Sequence, residues 1–194
     1  MTKEIDFYFD FISPYTYLAY KKIQLLPKNI NINYKPILLG GLHNLEGITA
    51  PAFIKPKLKH MMNDCLLIAE KYNFDFKWNS KFPINTLNIM RGYFCANSSN
   101  QAQYIKTMFD AYWRDDLDIS KEEILTSLIE QCEIDKDIFF KTIKDLVIKD
   151  KLKDATKNAH EKEIFGAPTF IVNNKIFWGQ DRLEFAIDEC NKID

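Results

Sequence analysis

The fold is decided by residues 5–19, which read Ile-Asp-Phe-Tyr-Phe-Asp-Phe-Ile-Ser-Pro-Tyr-Thr-Tyr-Leu-Ala. Residues 5–12 are dense in aromatic and β-branched side chains and contain no Gly or Pro, so they predict an internal strand. Because Ser is a favoured N-cap and Pro a favoured first helical residue, a helix is predicted from Pro14 to about Leu26. The stretch therefore indicates a strand that leads directly into a helix.

A second strand is predicted over residues 29–38, since apolar and polar side chains alternate there. Pro36 and the Gly40-Gly41 pair are expected to close this strand. A strand, a helix and a second strand of these lengths form a βαβ unit, in which the two strands are parallel and the crossover is right-handed.

The middle of the chain changes character, because nearly every segment from about Pro51 to His160 has helical periodicity. The predicted helices cover about 51–72, 85–97, 99–114, 120–131 and 135–159. Ser120-Lys-Glu-Glu123 has the pattern of a capping box, which predicts the start of the fourth of these helices. The segment therefore predicts a block of consecutive helices.

Two short strands are predicted near the carboxyl end, over 169–172 and 175–178. They flank Asn173-Asn174, a dipeptide that tolerates the positive φ angles of a tight hairpin turn. A final helix is predicted from Gly179 through Glu189. The element order predicts an α/β fold, a thioredoxin-like βαβ…ββα sheet with a large all-helical insertion. In this interpretation, 1–45 and 160–194 form the thioredoxin-like domain and 46–159 the helical insertion domain.

Composition and charge argue against several classes of protein. Hydrophobic residues make up 46% of the 194 residues and charged residues 27%, which is typical of a globular domain and unlike a disordered chain. The net charge is −1 and lysines are interspersed with acids, so a nucleic-acid-binding protein is not predicted. No run approaches the roughly 18 apolar residues of a membrane span, and the first residues lack a signal-peptide pattern.

The cysteines point to a reducing environment. The four of them, at positions 65, 95, 132 and 190, are too far apart for a CxxC motif, and none has a second Cys or His at metal-ligand spacing. We therefore expect free thiols, no metal site and a cytoplasmic setting. Without two neighbouring cysteines the protein has no disulfide of its own to cycle, so a disulfide oxidoreductase is not expected.

Three short motifs carry candidate chemistry. Ser13 lies where a strand meets a helix amino terminus, a place that favours an anion, although Ser13 could simply cap the helix. Pro168, in Gly166-Ala-Pro-Thr-Phe170, lies where a thioredoxin-like fold carries a cis peptide bond beside that terminus, although it could be an ordinary turn proline. Asp181 and Arg182 could bind the charged ends of a zwitterion, or could form a helix cap and a surface ion pair.

Four segments together resemble one known family. They are Phe9-Asp-Phe-Ile-Ser-Pro-Tyr15, Phe82-Pro-Ile-Asn-Thr-Leu87, Ile164-Phe-Gly-Ala-Pro-Thr-Phe170 and Phe177-Trp-Gly-Gln-Asp-Arg-Leu183. In this order, and over essentially the whole chain, they are similar to the 2-hydroxychromene-2-carboxylate isomerase family, a relative of kappa-class glutathione transferases in the DsbA-like group. The resemblance implies a DsbA-like fold, glutathione as cofactor, a small aromatic substrate and a homodimer.

The resemblance also implies roles for residues at a glutathione site. Ser13 matches the family's catalytic serine, which hydrogen-bonds the glutathione sulfur. Ala167, before the expected cis-Pro168, matches the residue whose backbone pairs with the cysteine of the tripeptide. Asp181 matches the acid that takes the γ-glutamyl amine. The residues beside that acid are Gln180 and Arg182.

For the substrate, the resemblance implies contacts by Lys35 and Asn85. Asn85 matches a polar position that lines the active site, and Lys35 matches a basic residue that meets the substrate carboxylate. Two positions depart from the family pattern, since His60 replaces a common tyrosine and Leu67 a common arginine. These departures bear on the aromatic acid substrate more than on glutathione.

A serine at a helix terminus accounts for thiolate formation at neutral pH. A free thiol has a pKa of about 8.5, and lowering it by about two units takes roughly 2.7 kcal/mol. A hydrogen bond to a charged group contributes about 1.5–3 kcal/mol and a helix amino terminus about 0.3–2 kcal/mol.

Three functions remain open: an isomerase that adds the thiolate reversibly to a conjugated substrate, a glutathione transferase, and a non-catalytic thioredoxin-fold binding module.

Overall fold

The computed structural model describes residues 3–192. In chain order its elements are β1 (Lys3–Phe9), α1 (Pro14–Ile23), β2 (Ile30–Pro36), α2 (Leu39–Glu46), a 3-10 turn (Pro51–Phe53), α3 (Lys55–Tyr72), α4 (Leu87–Gly92), α5 (Gln101–Trp113), α6 (Glu122–Gln131), α7 (Lys136–Thr142), α8 (Leu146–Glu161), β3 (Thr169–Val172), β4 (Lys175–Trp178), a second 3-10 turn (Gln180–Arg182) and α9 (Leu183–Cys190). This order confirms the predicted α/β fold with helices inserted between its two halves.

The four strands form one mixed sheet in the order β2-β1-β3-β4. β1 pairs parallel with β2 and antiparallel with β3, so it is internal, as the sequence predicts. β3 and β4 form the predicted hairpin, in which Asn173 and Asn174 have φ angles of 52° and 61°. The parallel β1–β2 pair is connected through α1, which confirms the βαβ unit.

β1 ends at Phe9, three residues before the predicted end, because the chain turns at Asp10. The Asp10 carboxylate accepts a hydrogen bond from the N–H of Ile12, and the Asp10 carbonyl oxygen accepts one from the N–H of Ser13. These local bonds replace the sheet pairing that residues 10–12 would otherwise need. α1 also ends early, at Ile23, because the N–H groups of Leu25 and Leu26 bond three residues back, to Lys22 and Ile23, in the tighter pattern common at helix ends.

Three predictions in the helical regions are wrong. Gly40 and Gly41 lie inside α2 and do not form the break that was expected to close β2. The predicted helix 135–159 is two helices, because the Asp145 side chain accepts from the N–H of Val147 and caps α8 there. The capping box fails as well, since the Ser120 hydroxyl donates to Asp118 and α6 begins at Glu122 without a side-chain cap.

An aromatic core joins the sheet to the helical block. Phe7, Phe9 and Phe11 are fully buried on β1 and the turn after it, and the rings of Phe11 and Phe109 on α5 lie 4.7 Å apart in an edge-to-face arrangement. A smaller buried cluster on the other face of the sheet, around Tyr8, packs the sheet against α2 and α8. The division into a thioredoxin-like domain and an insertion domain stays a prediction.

Candidate active site

Ser13 occupies the turn between β1 and α1 and is only 5% exposed. Its backbone is extended, and its hydroxyl oxygen accepts a hydrogen bond from the N–H of Thr16 at 3.2 Å, so Ser13 does cap α1. The same hydroxyl donates to the carbonyl oxygen of Ala167 at 3.0 Å. Capping therefore does not account for all of its contacts, because Ser13 also joins the helix terminus to a segment 154 residues away.

That distant segment contains the proline that the sequence analysis singled out. The Ala167–Pro168 peptide bond is cis, and the carbonyl oxygen of Pro168 accepts a hydrogen bond from the N–H of Gly179 at 2.9 Å. The Thr169 hydroxyl donates to the carbonyl oxygen of Gly166 at 2.7 Å and holds the loop from the other side. A second cis bond, Phe82–Pro83, was not predicted.

The third motif begins at Gly179 and continues into the second 3-10 turn, so it is anchored to the cis-proline loop. The Gln180 side-chain oxygen accepts from the Lys22 ammonium on α1 at 2.6 Å. Asp181 and Arg182 are exposed and form an ion pair at 2.7 Å. Neither side chain caps α9, so the structure has the surface ion pair and not the helix cap.

Tyr15, two residues after Ser13, connects α1 to the helical block. Its hydroxyl donates to the Asp64 carboxylate on α3 at 2.7 Å. Burial raises the pKa of Tyr15 far above its usual range, and the carboxylates of Asp64 and Asp181 raise it further, so the hydroxyl is protonated at neutral pH. Sequence reasoning did not assign a role to Tyr15, although it lies in the Ser-Pro-Tyr motif.

Asp10 is the other residue near Ser13 whose place sequence reasoning missed. It is fully buried, and its carboxylate accepts hydrogen bonds from the N–H of Ile12, the N–H of Leu39 and the hydroxyl of Thr86. Burial raises the pKa of Asp10 to about 6 even though these three hydrogen bonds act to lower it. An acidic residue in the middle of an aromatic run was the signal that could have identified it.

The two residues expected at the substrate lie in different places. Asn85 is exposed and accepts from the N–H of Leu87, in the loop whose Thr86 reaches Asp10. Lys35 is on β2, 3.6 Å from the Asp6 carboxylate, and lines a cleft of about 350 Å³ with Tyr8, Tyr34, Tyr93, Phe94 and Lys162 among its walls. Ser13 is not among the residues that line that cleft, whereas the loop of Asn85 is joined to the turn before Ser13 by the Thr86–Asp10 hydrogen bond.

The two departures from the family pattern lie on the surface of α3. His60 is exposed, and Leu67 is 64% exposed. An exposed leucine cannot replace the hydrogen bonds of an arginine, so no side-chain hydrogen bond to a ligand can come from that position in this chain.

The cysteines supply no reactive sulfur. All four are free, and burial raises the pKa of Cys95 to about 11 and that of the other three as well. Since the thiolate is the reactive form, these thiols are unreactive near neutral pH. Within residues 3–192 no group of three His, Cys, Asp or Glu side chains could hold a metal ion. Over the same range, no helix combines the length and the apolar character needed to cross a membrane.

Comparisons with known proteins identify the family and the fold of the chain. The chain matches the family model of the DSBA-like thioredoxin domain over residues 4–189. It is 32% identical over 190 residues to a 2-hydroxychromene-2-carboxylate isomerase of Sphingobium xenophagum, covering 95% of this chain and 96% of the relative. It is 23% identical over 198 residues to glutathione S-transferase kappa 1 of Rattus norvegicus, covering 93% and 87%. A solved structure of a 2-hydroxychromene-2-carboxylate isomerase has the same fold, with a TM-score of 0.89 at 24% identity over 98% of this chain and 95% of that one.

Proposed function

Because the chain belongs to the DSBA-like thioredoxin domain family, and within it to the 2-hydroxychromene-2-carboxylate isomerase family, we propose that it is a glutathione-dependent isomerase. The proposed reaction is the cis/trans isomerisation of an aromatic 2-oxo acid. The observation that carries the proposal is the position of the Ser13 hydroxyl, which lies at the amino end of α1 and 3.0 Å from the carbonyl oxygen beside cis-Pro168.

The residues around Ser13 fit a bound thiolate. α1 has no acidic residue in its first turn, so the partial positive charge of the helix terminus is not cancelled there. The Asp64 carboxylate, on the neighbouring helix, is engaged by the Tyr15 hydroxyl. None of the four cysteines competes for the role, because burial keeps each of them protonated. A reactive sulfur at this site would therefore come from a ligand.

Glutathione, when bound, supplies a thiol that adds reversibly to a conjugated substrate, so that the former double bond can rotate before the sulfur leaves. Ser13 supplies the hydrogen bond that favours the anionic sulfur, and α1 supplies the helix terminus. Together these amount to roughly 2–5 kcal/mol, a range that includes the roughly 2.7 kcal/mol needed to lower a thiol pKa by two units.

Ala167 takes a second role in the proposal. Its carbonyl oxygen is now satisfied by the Ser13 hydroxyl, whose hydrogen rotates freely about the C–O bond. When Ser13 donates to a sulfur, the carbonyl oxygen of Ala167 is left free to accept from a peptide N–H. The same rotation thus prepares both partners for a tripeptide ligand.

Gln180, Asp181 and Arg182 are the proposed partners of the γ-glutamyl end. The Asp181–Arg182 ion pair is exposed, and such pairs contribute only about 0–1 kcal/mol, so a zwitterionic ligand could exchange with it at little cost. Gly179 ties this segment to Pro168, which fixes its distance from Ser13.

On the substrate side we propose Asn85 and Lys35, with different support from the structure. Asn85 lies in the loop that Thr86 anchors behind the Ser13 turn. Lys35 lines the cleft on the face of the sheet that carries Tyr8 and Asp6, and its proposed partner is the carboxylate of the substrate. A homodimer in the cytoplasm is part of the same proposal.

A glutathione transferase is the second candidate, because the chain also aligns with a kappa-class transferase over most of its length. Both reactions use the same thiolate, and they differ in what happens to it. The isomerase returns glutathione unchanged, the transferase consumes it, and a non-catalytic binding module would show ligand binding without turnover.

The experiment that tests the proposal follows free glutathione and substrate together. The protein is incubated with catalytic glutathione and a ring-opened 2-hydroxychromene-2-carboxylate, and the isomer ratio is measured by absorbance while free thiol is titrated. We expect many turnovers per glutathione with no loss of thiol. Stoichiometric loss of thiol would support the transferase, and turnover without glutathione would contradict both.

A further inference from the structure

The buried carboxylate of Asp10 joins three segments that meet at the Ser13 site. Its Oδ1 atom accepts from the N–H of Ile12 at 3.1 Å and from the Thr86 hydroxyl at 2.8 Å, and its Oδ2 atom accepts from the N–H of Leu39 at 2.8 Å. Ile12 precedes Ser13, Leu39 is the first residue of α2, and Thr86 follows Asn85. One carboxylate therefore spans the turn, the helix and the loop.

These contacts need a carboxylate in particular. The N–H groups of Ile12 and Leu39 are donors only, and each points at a different oxygen of Asp10. An amide in the same place has a single acceptor oxygen, so its NH2 group would face one of these N–H groups and leave it unsatisfied. Loss of a partner for a buried donor carries the full cost of its desolvation.

The surroundings of Asp10 are otherwise neutral. From α2 and from the loop its partners are a backbone N–H and a hydroxyl, and from its own turn a backbone N–H. On α5 the titratable side chain that faces it is Tyr112, whose pKa is raised by burial and also by the charge of Asp10. Within residues 3–192, no lysine, arginine or histidine contacts the carboxylate.

The Ser13 turn depends on this arrangement. The N–H of Ser13 donates to the carbonyl oxygen of Asp10, and the Trp113 indole donates to the carbonyl oxygen of Phe11 between them. The backbone of 10–13 is thus held from one side by α5 and from the other by the Asp10 carboxylate. A shift of this backbone would move the Ser13 hydroxyl relative to Ala167.

We propose that Asp10 is a positioning residue of the Ser13 site, which in its ionised form holds the serine turn, the amino end of α2 and the Asn85 loop in one arrangement. Its effect on catalysis rests on the proposed function, whereas its effect on the backbone does not. On protonation, one carboxylate oxygen of Asp10 becomes a hydroxyl, which is a weaker acceptor for the N–H or O–H group that bonds to it. The three segments then lose part of their common anchor.

The test uses two variants of this anchor and one matched control. Asp10→Asn removes the charge, and Thr86→Val removes one hydrogen bond and leaves the carboxylate in place. The control is Asp135→Asn, because the Asp135 carboxylate also accepts a backbone N–H but caps α7, away from Ser13. The rate of glutathione-dependent turnover is measured from pH 5 to 9 for each protein.

We expect Asp10→Asn to lower kcat/KM by at least about tenfold at pH 7.5, since small displacements of a reacting group have effects of that size. Because burial sets the Asp10 pKa at about 6, protonation of Asp10 should account for part of the fall in wild-type activity at acidic pH. Asp10→Asn has no carboxyl group at this position, so this part of the fall should be missing from its pH profile. Thr86→Val should move the fall to higher pH, since the Thr86 hydrogen bond lowers that pKa. The thiol titrates in every variant, so the difference between variants is the readout.

Amide hydrogen exchange provides a readout that does not require turnover. In Asp10→Asn, the N–H of Ile12 or of Leu39 should exchange at least about tenfold faster, while amides in the β3–β4 hairpin exchange as in wild type. If neither amide changes and the pH profiles coincide, the proposal is overturned, even where Asp10→Asn is less stable. If the proposed function fails in its own test, the exchange data still decide whether Asp10 anchors the turn.

Discussion

Replacing Ser13 by Ala separates the catalytic and structural roles of this residue, because both can be estimated from the contacts of its hydroxyl. The variant loses the cap of α1, worth about 1 kcal/mol, and the bond to Ala167, worth about 0.5–1.5 kcal/mol. For a domain of this size, 1 kcal/mol corresponds to roughly 2–4 °C, so Tm should fall by roughly 3–10 °C with the fold retained.

The effect on the reaction should be larger than this loss of stability suggests. The hydrogen bond from Ser13 to an anionic sulfur is worth about 1.5–3 kcal/mol, which corresponds to one to two units of thiol pKa. If the wild-type site lowers the thiol pKa to about 6.5, the fraction of thiolate at pH 7 should therefore fall about threefold to 25-fold, and glutathione-dependent turnover with it. The acidic limb of the rate profile should move to higher pH by the same one to two units.

A matched control removes a cap elsewhere. Asp135→Ala deletes the carboxylate that caps α7, so it should lower Tm by roughly 2–4 °C and leave the rate and its pH profile unchanged. The assay is the isomerisation rate from pH 6 to 9 at saturating glutathione, with Tm measured on the same samples. An unchanged rate and an unchanged acidic limb in Ser13→Ala would refute the assigned role, whatever happens to Tm.

Two further predictions concern ligand binding and packing. Glutathione at about 100 times its Kd should stabilise the wild-type protein by about 2.7 kcal/mol. The resulting rise in Tm should be smaller in Asp181→Asn than in the control Asp188→Asn, which changes an exposed side chain of α9. Equal shifts in Tm in all three proteins would remove Asp181 from the proposed site. Gly92→Ala should lower the free energy of unfolding measured in urea by about 1–3 kcal/mol, because a Cβ there would lie 2.6 Å from the buried ring of Phe139 and would also meet the Tyr104 hydroxyl. The control Gly40→Ala, with open space around it, should not be destabilised. Equal stability of the two glycine variants would contradict the packing argument.

The predictions that succeeded rest on local signals. The aromatic run before Ser13, the Ser-Pro pair and the Asn173-Asn174 turn each define a structure within about ten residues, since strand alternation, capping and positive φ are properties of neighbouring residues. The structure accordingly has β1, α1 and the β3–β4 hairpin at or near the predicted places. The cis peptide bond expected at Pro168 is present as well, and the catalytic role of Ser13 stays a prediction.

The predictions that failed depend on partners far away in the chain. Gly40 and Gly41 are poor helix formers, yet they lie in α2, whose first N–H groups are bound by Asp10 and by the Thr156 hydroxyl of α8. Neither partner is visible from residues 38–46. The orientation of Lys35 also depends on tertiary structure, because its pairing with Tyr8 turns its side chain to the face of the sheet that carries Asp6, and its contact with the substrate stays a prediction.

Residue types and near neighbours are sufficient to predict the βαβ unit, the helical block, the late hairpin, the absence of a CxxC pair and the serine at the helix amino terminus. The contact of this serine with Ala167 and the buried carboxylate that anchors the turn behind it depend on tertiary packing. Such contacts form between segments whose separation is set by the packing of the whole chain. Hydrogen bonding also requires distances of about 3 Å, which residue patterns do not specify.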